Sequence, residues 1–330
     1  PFLFGGPSGV NIADFRPMSQ RMWDSQPQHD NVAGHSFLRY QDNNNVWHYL
    51  EYAGTTFRST GPNWADMSLN YISDDGKAKL KVDVFELPQS DELRNFMHIR
   101  IDFNGSIKIS QGDMARNFRL FNIATHVQEL KYKTVACGDF DTKPLIKDIT
   151  FDNNFTIAGS PIPSVGGYAS IYPETRGANS FILRNFKGII GGKNIQPGVS
   201  MLGEPNGNCT LMLTLTDKIN EIKAGDWIET DLFIMPYGGG NQDYKPAQKA
   251  SFDYAINSPK VTSIHKGKKI NDFPTRIKLA KDGKAEFSIS GGMDIIPIIV
   301  EGTKDYKNLR SYDSNHKQIE HSMPNSKDGY

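Results

Sequence analysis

Between Arg94 and Phe103 the chain alternates two kinds of side chain. Arg94, Phe96, His98, Arg100 and Asp102 share one parity, and Asn95, Met97, Ile99, Ile101 and Phe103 share the other. Residues two apart lie on one face of an extended strand, so the pattern predicts a β-strand with an apolar inner face. The outer face carries guanidinium, imidazole and carboxylate groups. Arg offers a planar donor fork to carboxylates, so this face has the chemistry to hold an anionic, hydroxyl-rich ligand.

A second alternating run, 117 to 128, puts Asn122, His126 and Gln128 on one parity, which Tyr132 continues. Beside Arg94, His98 and Arg100 on a neighbouring strand, this set fits a uronic-acid glycan. Eliminative cleavage of such a polymer needs a donor to neutralise the carboxylate, a base for the adjacent proton and an acid for the leaving oxygen. The expectation is that His98, Arg100, His126 and Tyr132 perform the chemistry while Arg94, Asn122 and Gln128 bind substrate. The competing reading makes the same side chains the solvated face of a sandwich.

The segment from Gln28 to Tyr52 is the next richest, with His29, Asp30, His35, Arg39, Tyr40, Trp47, His48 and Tyr49. No standard metal-ligand spacing such as HExxH occurs, so neither metal nor cofactor is expected. His35, Arg39, Trp47 and His48 are instead assigned to substrate contact, since flat rings suit sugar C–H faces. Arg58 and Trp64, beside a Gly-Pro turn in "TFRSTGPNWADM", join them. Glu174 and Glu204 are the loop acids suited to general-acid work. A G-x-S-x-G elbow, a P-loop and a strand-to-helix G-x-G-x-x-G are all absent.

The elements that must position these residues are strands. Period-two runs recur at 35–40, 46–53, 66–73, 78–86, 95–103, 106–110, 117–128, 180–187, 209–216, 227–235, 275–279, 284–290 and 294–300, separated by turn dipeptides such as Asp75-Gly76 and Gly225-Asp226. Asn104-Gly105 predicts a type I′ hairpin returning 95–103 onto 106–110. No helical period lasts three turns. The expected fold is all-β: a large antiparallel β-sandwich or supersandwich with few short helices, spanning 1–330 as one unit. The Pro/Gly-rich stretch 159–177 marks an internal boundary or a long loop, and 301–330 reads as an irregular tail.

The segment "YAGTTFRSTGPNWADMSLNYISDDGKAKLKVDVFELPQSDELRNFMHIRIDF", followed by "IKAGDWIETDLFIMPYG", resembles the galactose-mutarotase-like β-supersandwich domains of carbohydrate-active enzymes. The resemblance covers about a third of the chain and lies in a long strand, an Asp-Gly turn, a second long strand and a late Gly-Asp turn. It implies a concave sheet face used for sugars. Mutarotases use a paired His and Glu that find no match here, so no catalytic residue is carried over.

Among 330 residues, Lys plus Arg and Asp plus Glu both number 37, so no global field recruits nucleic acid or an anionic membrane. No apolar run approaches the roughly 20 residues of a spanning helix. Cys137 and Cys209 permit one disulfide or two buried thiols. The leading expectation is a secreted, periplasmic or cell-surface protein that acts on an acidic polysaccharide, with a polysaccharide lyase as its enzymatic form. A non-catalytic glycan-binding or accessory domain is the alternative.

Overall fold

A computed structural model describes residues 3–4, 12–13, 34–61, 64–87, 94–125, 132–173, 178–237, 243–272, 275–291, 298–302, 310–313 and 315–319. In chain order the principal strands are β1 (Gly34–Gln41), β2 (Trp47–His48), β3 (Leu50–Gly61), β4 (Trp64–Ser73), β5 (Ala78–Leu87), β6 (Arg94–Phe103), β7 (Phe118–Thr125), β8 (Tyr132–Gly138), β9 (Leu145–Asp148), β10 (Phe155–Pro161), β11 (Tyr168–Pro173), β12 (Ala178–Ile190), β13 (Pro197–Gly203), β14 (Cys209–Leu215) and β15 (Trp227–Tyr237). They form an all-β sandwich. One sheet runs β9-β8-β11-β12-β15-β6-β5-β4-β3, and the other runs β1-β7-β14-β13-β10 with β2 paired to β1.

The alternation read in the sequence sets the register. Along β6, Met97, Ile99, Ile101 and Phe103 are buried beside Leu80, Val82 and Val84 of β5, while His98 and Arg100 stay half-buried and Asp102 is exposed. A slip of one residue would drive His98 and Arg100 into this core and expose the aliphatics, each of which stabilises the fold by about 1.5–3 kcal/mol. The two sheets share their core through aromatic contacts. Phe37 of β1 meets Tyr71 of β4 at 6.5 Å, and Phe121 of β7 meets Phe181 of β12 edge-on at 6.2 Å.

Two expectations are corrected. Asn104 and Gly105 do not adopt the left-handed φ of a type I′ turn, and Ile107–Lys108 pairs with Glu221–Ile222 instead of with β6. The neighbours of β6 are β5 and β15, because each offers an apolar inner row as long as its own. Phe96, grouped by parity with the polar face, is buried. A short helix α1 (Lys245–Ser251), continued by one π-helical turn at Phe252–Ile256, covers that end of the sheet. There Phe96 stacks on Phe233 at 4.9 Å and meets Tyr254 at 5.3 Å.

Within 159–177 the chain finishes β10 in the smaller sheet and forms β11 in the larger one, so this stretch crosses between layers. In the tail, Ser311–Tyr312 pairs antiparallel with Gln318–Ile319.

Candidate functional site

Across the outer face of the larger sheet, register places Ser68, Asp83, His98, Asp231 and Asn185 in one row over five strands. His98 Nδ1 lies 2.8 Å from Asp231 Oδ1. Arg184, set forward by a bulge between Leu183 and Asn185, donates from Nη1 to Asp231 Oδ2 at 3.0 Å, and its Nε donates to Ser258 at 3.1 Å. Burial alone would lower the His98 pKa, but the hydrogen bond to Asp231 and the charges of Asp231, Glu229 and Asp83 raise it above the ordinary value.

The next row is Lys81, Arg100, Glu229 and Lys187. Arg100 donates to Glu229 at 3.1 Å and to Asp102 at 2.7 Å, its guanidinium lying 4.3 Å from the centre of the Trp227 ring. Lys187 Nζ is 2.6 Å from Glu229. Carboxylates thus stand beside the cations in both rows, and His98 and Arg100 are already occupied by carboxylates of their own sheet.

The set proposed for elimination is not assembled. Asn122 belongs to β7 in the smaller sheet while His98 and Arg100 belong to β6 in the larger, so the two strands share no face. Asn122 is buried and accepts a hydrogen bond from Ser36 at 2.7 Å. Tyr132 is in the core, where Asn179 donates to its hydroxyl at 2.6 Å and burial pushes its pKa far up. A phenol so placed reaches no substrate. His126, Gln128 and Glu174 lie outside the described residues, as do the side chains of His35, Arg58, Trp64 and Arg94.

A different group comes together on the smaller sheet. Arg39 of β1 and Arg119 of β7 stand directly opposite each other in the antiparallel register. The Arg39 guanidinium sits 4.9 Å from the centre of the Tyr49 ring, and that of Arg119 sits 4.7 Å from the centre of the Trp47 ring. All four side chains are half-buried. Arg119 Nε is shielded from solvent and makes no hydrogen bond. Burial, followed by the charge of Arg39, lowers the Arg119 pKa to about 10 against the opposing pull of Tyr49 and Glu204. The pair stays cationic at neutral pH.

Arg39 and Trp47, assigned to substrate contact from sequence, both belong to this corner, whereas Arg119 was not singled out. It falls on the odd parity of 117–128 with Phe121 and Ile123, a row the even-position reading did not consider. The available signal was a cation interrupting an apolar row.

An adjoining cluster fixes this corner. His48 Nδ1 lies 2.8 Å from Asp74 and 3.8 Å from Asp75, and Nε2 lies 3.5 Å from Asp42. The Tyr40 hydroxyl donates to Asp75 at 2.6 Å. One imidazole and two carboxylates are donors suited to a divalent cation, but the Lys77 ammonium already stands 3.4 Å from Asp75 Oδ2. The cluster reads as a polar clamp. It ties β2 to the β4–β5 turn, where Gly76 supplies a φ of 72°, and thereby holds Trp47 and Tyr49 in place. His48, assigned to substrate contact from sequence, is engaged in that clamp.

No protein-family model and no curated protein matches the chain. Solved structures do. A GH36 alpha-galactosidase AgaA from Geobacillus stearothermophilus in complex with stachyose matches with a TM-score of 0.42 at 9% identity, over 81% of this chain and 42% of that one. The alpha-galactosidase from Lactobacillus brevis matches with a TM-score of 0.42 at 6% identity, over 77% and 40%. The galactosidase domain of an alpha-galactosidase-sucrose kinase, AgaSK, gives 0.38 at 10%, over 62% and 30%. The chain thus spans less than half the length of these structures.

Proposed function

We propose that this chain is a non-catalytic glycan-binding β-sandwich, an accessory unit of extracytoplasmic carbohydrate-active machinery. The observation that carries the reading is the corner formed by Trp47 and Tyr49, two half-buried rings of the same parity, each backed by a guanidinium. Flat rings take up the C–H faces of pyranoses, and the guanidinium forks supply donors for hydroxyl and acidic substituents. Elimination is not part of this function: Tyr132 is buried and hydrogen-bonded in the core, and His98 and Arg100 are engaged by neighbouring carboxylates.

Calorimetric titration of neutral and acidic oligosaccharides, with ultraviolet detection of unsaturated uronate in the same samples, tests the reading. Binding without product is expected. Trp47→Ala and Tyr49→Ala should each weaken it about tenfold or more, the equivalent of about 1.4 kcal/mol. Product accumulation, or affinity unchanged in both variants, would sink it.

A further inference from the structure

Arg39 and Arg119 differ from other described arginines in their surroundings. Arg100, Arg116, Arg184 and Arg276 each have a carboxylate within ion-pair distance, at 2.7, 3.5, 3.0 and 3.6 Å. Among the described residues, Arg39 and Arg119 have none. They also stand opposite each other, and like charges at directly opposed strand positions are unfavourable. Partial burial worsens the opposition, because it removes the water that would screen two cations.

The geometry points to Arg39 and Arg119 as an anion-binding site that recognises the oxyanion of an acidic sugar, a uronate carboxylate or a sulfate ester. The sugar part of this inference rests on the glycan-binding reading; the anion part stands on the arginine pair. A single oxyanion between the two strands would accept from both forks at once, satisfy the idle Arg119 Nε and cancel the repulsion. Trp47 and Tyr49 flank that position with the surfaces for the attached ring. Glu204 acts on Arg119 only electrostatically and leaves the fork free.

The test uses the whole chain, first with sodium sulfate against sodium chloride at matched ionic strength, then with tri-galacturonate, a sulfated galacto-oligosaccharide and the neutral galacto-oligosaccharide. A ligand that binds only the folded state raises the thermal midpoint. Sulfate is expected to raise it in the wild type and in the surface control Lys193→Ala, and to raise it little in Arg39→Gln or Arg119→Gln. The two Gln variants should keep or exceed the wild-type midpoint in chloride, since each removes one of two opposed charges. A purely structural role for the arginines would lower it.

Acidic oligosaccharides should bind the wild type about tenfold or more tightly than the neutral one, and the variants should lose that preference. A ratio favouring tri-galacturonate identifies the carboxylate as the source, and a ratio favouring the sulfated sugar identifies the ester. An equal anion response in wild type and both Gln variants, or no response in the wild type, overturns the inference. Equal binding of acidic and neutral oligosaccharides in the wild type, unchanged in both Gln variants, also overturns it while leaving the glycan reading intact. An arginine-dependent sulfate response with no oligosaccharide bound would uphold the anion site and sink the glycan reading.

Discussion

At the scale of single residues, the same side-chain type has opposite meanings in the two sheets. Arg100 lies between Asp102 and Glu229 and contributes to a charge-balanced face, whereas Arg119 has a ring, another arginine and an unused donor. Partnership, more than residue type, decides whether a cation is available to a ligand. His98 makes this measurable. Its folded-state pKa lies above the ordinary 6.5 because Asp231, Glu229 and Asp83 outweigh burial. A raised imidazole pKa adds stability that is complete below the unfolded value and is lost as pH rises through the folded one. The midpoint difference between wild type and His98→Gln should therefore be larger near about pH 5 than near about pH 9. A difference that grew with pH would contradict the assigned pairing.

At the scale of elements, strand parity separated most side chains of β6, Phe96 excepted, and was silent about which strands meet. The alternation of 94–103 correctly separated Met97, Ile99, Ile101 and Phe103 from His98 and Arg100. It could not show that β7 lies in the other sheet, because pairing depends on contacts far along the chain. Strands β11 and β13 escaped periodicity altogether. Nearly all their residues are buried, so no polar alternation marks them. Tyr132 gives the corresponding prediction. Its hydroxyl accepts from the Asn179 amide inside the core, and Tyr132→Phe leaves that donor without a partner. Chemical denaturation should show a loss of about 1–3 kcal/mol, with glycan binding unchanged at temperatures where the variant is folded. Binding lost without destabilisation would restore Tyr132 to a ligand site.

At the scale of the whole molecule, the two sheets are joined through a common hydrophobic core and not through a covalent bridge. Cys137 in β8 and Cys209 in β14 are buried and form no disulfide, and burial raises the Cys137 thiol pKa. A thiol reagent should therefore react slowly with native protein and find two thiols per chain after unfolding, while reductant leaves the midpoint unchanged. One disulfide recovered from non-reduced protein would refute this. By itself the sequence determined the all-β class, the long strands of the larger sheet and the inner and outer face of β6, since each follows from the pleat and local turn chemistry. Only the tertiary structure decided that Asp231 and Glu229 meet His98 and Arg100, that Tyr132 is core, and that Arg39 stands opposite Arg119. Those relations bring together residues many positions apart, and the order of strands in a sheet is fixed by which buried surfaces fit, which a repeat of two does not encode.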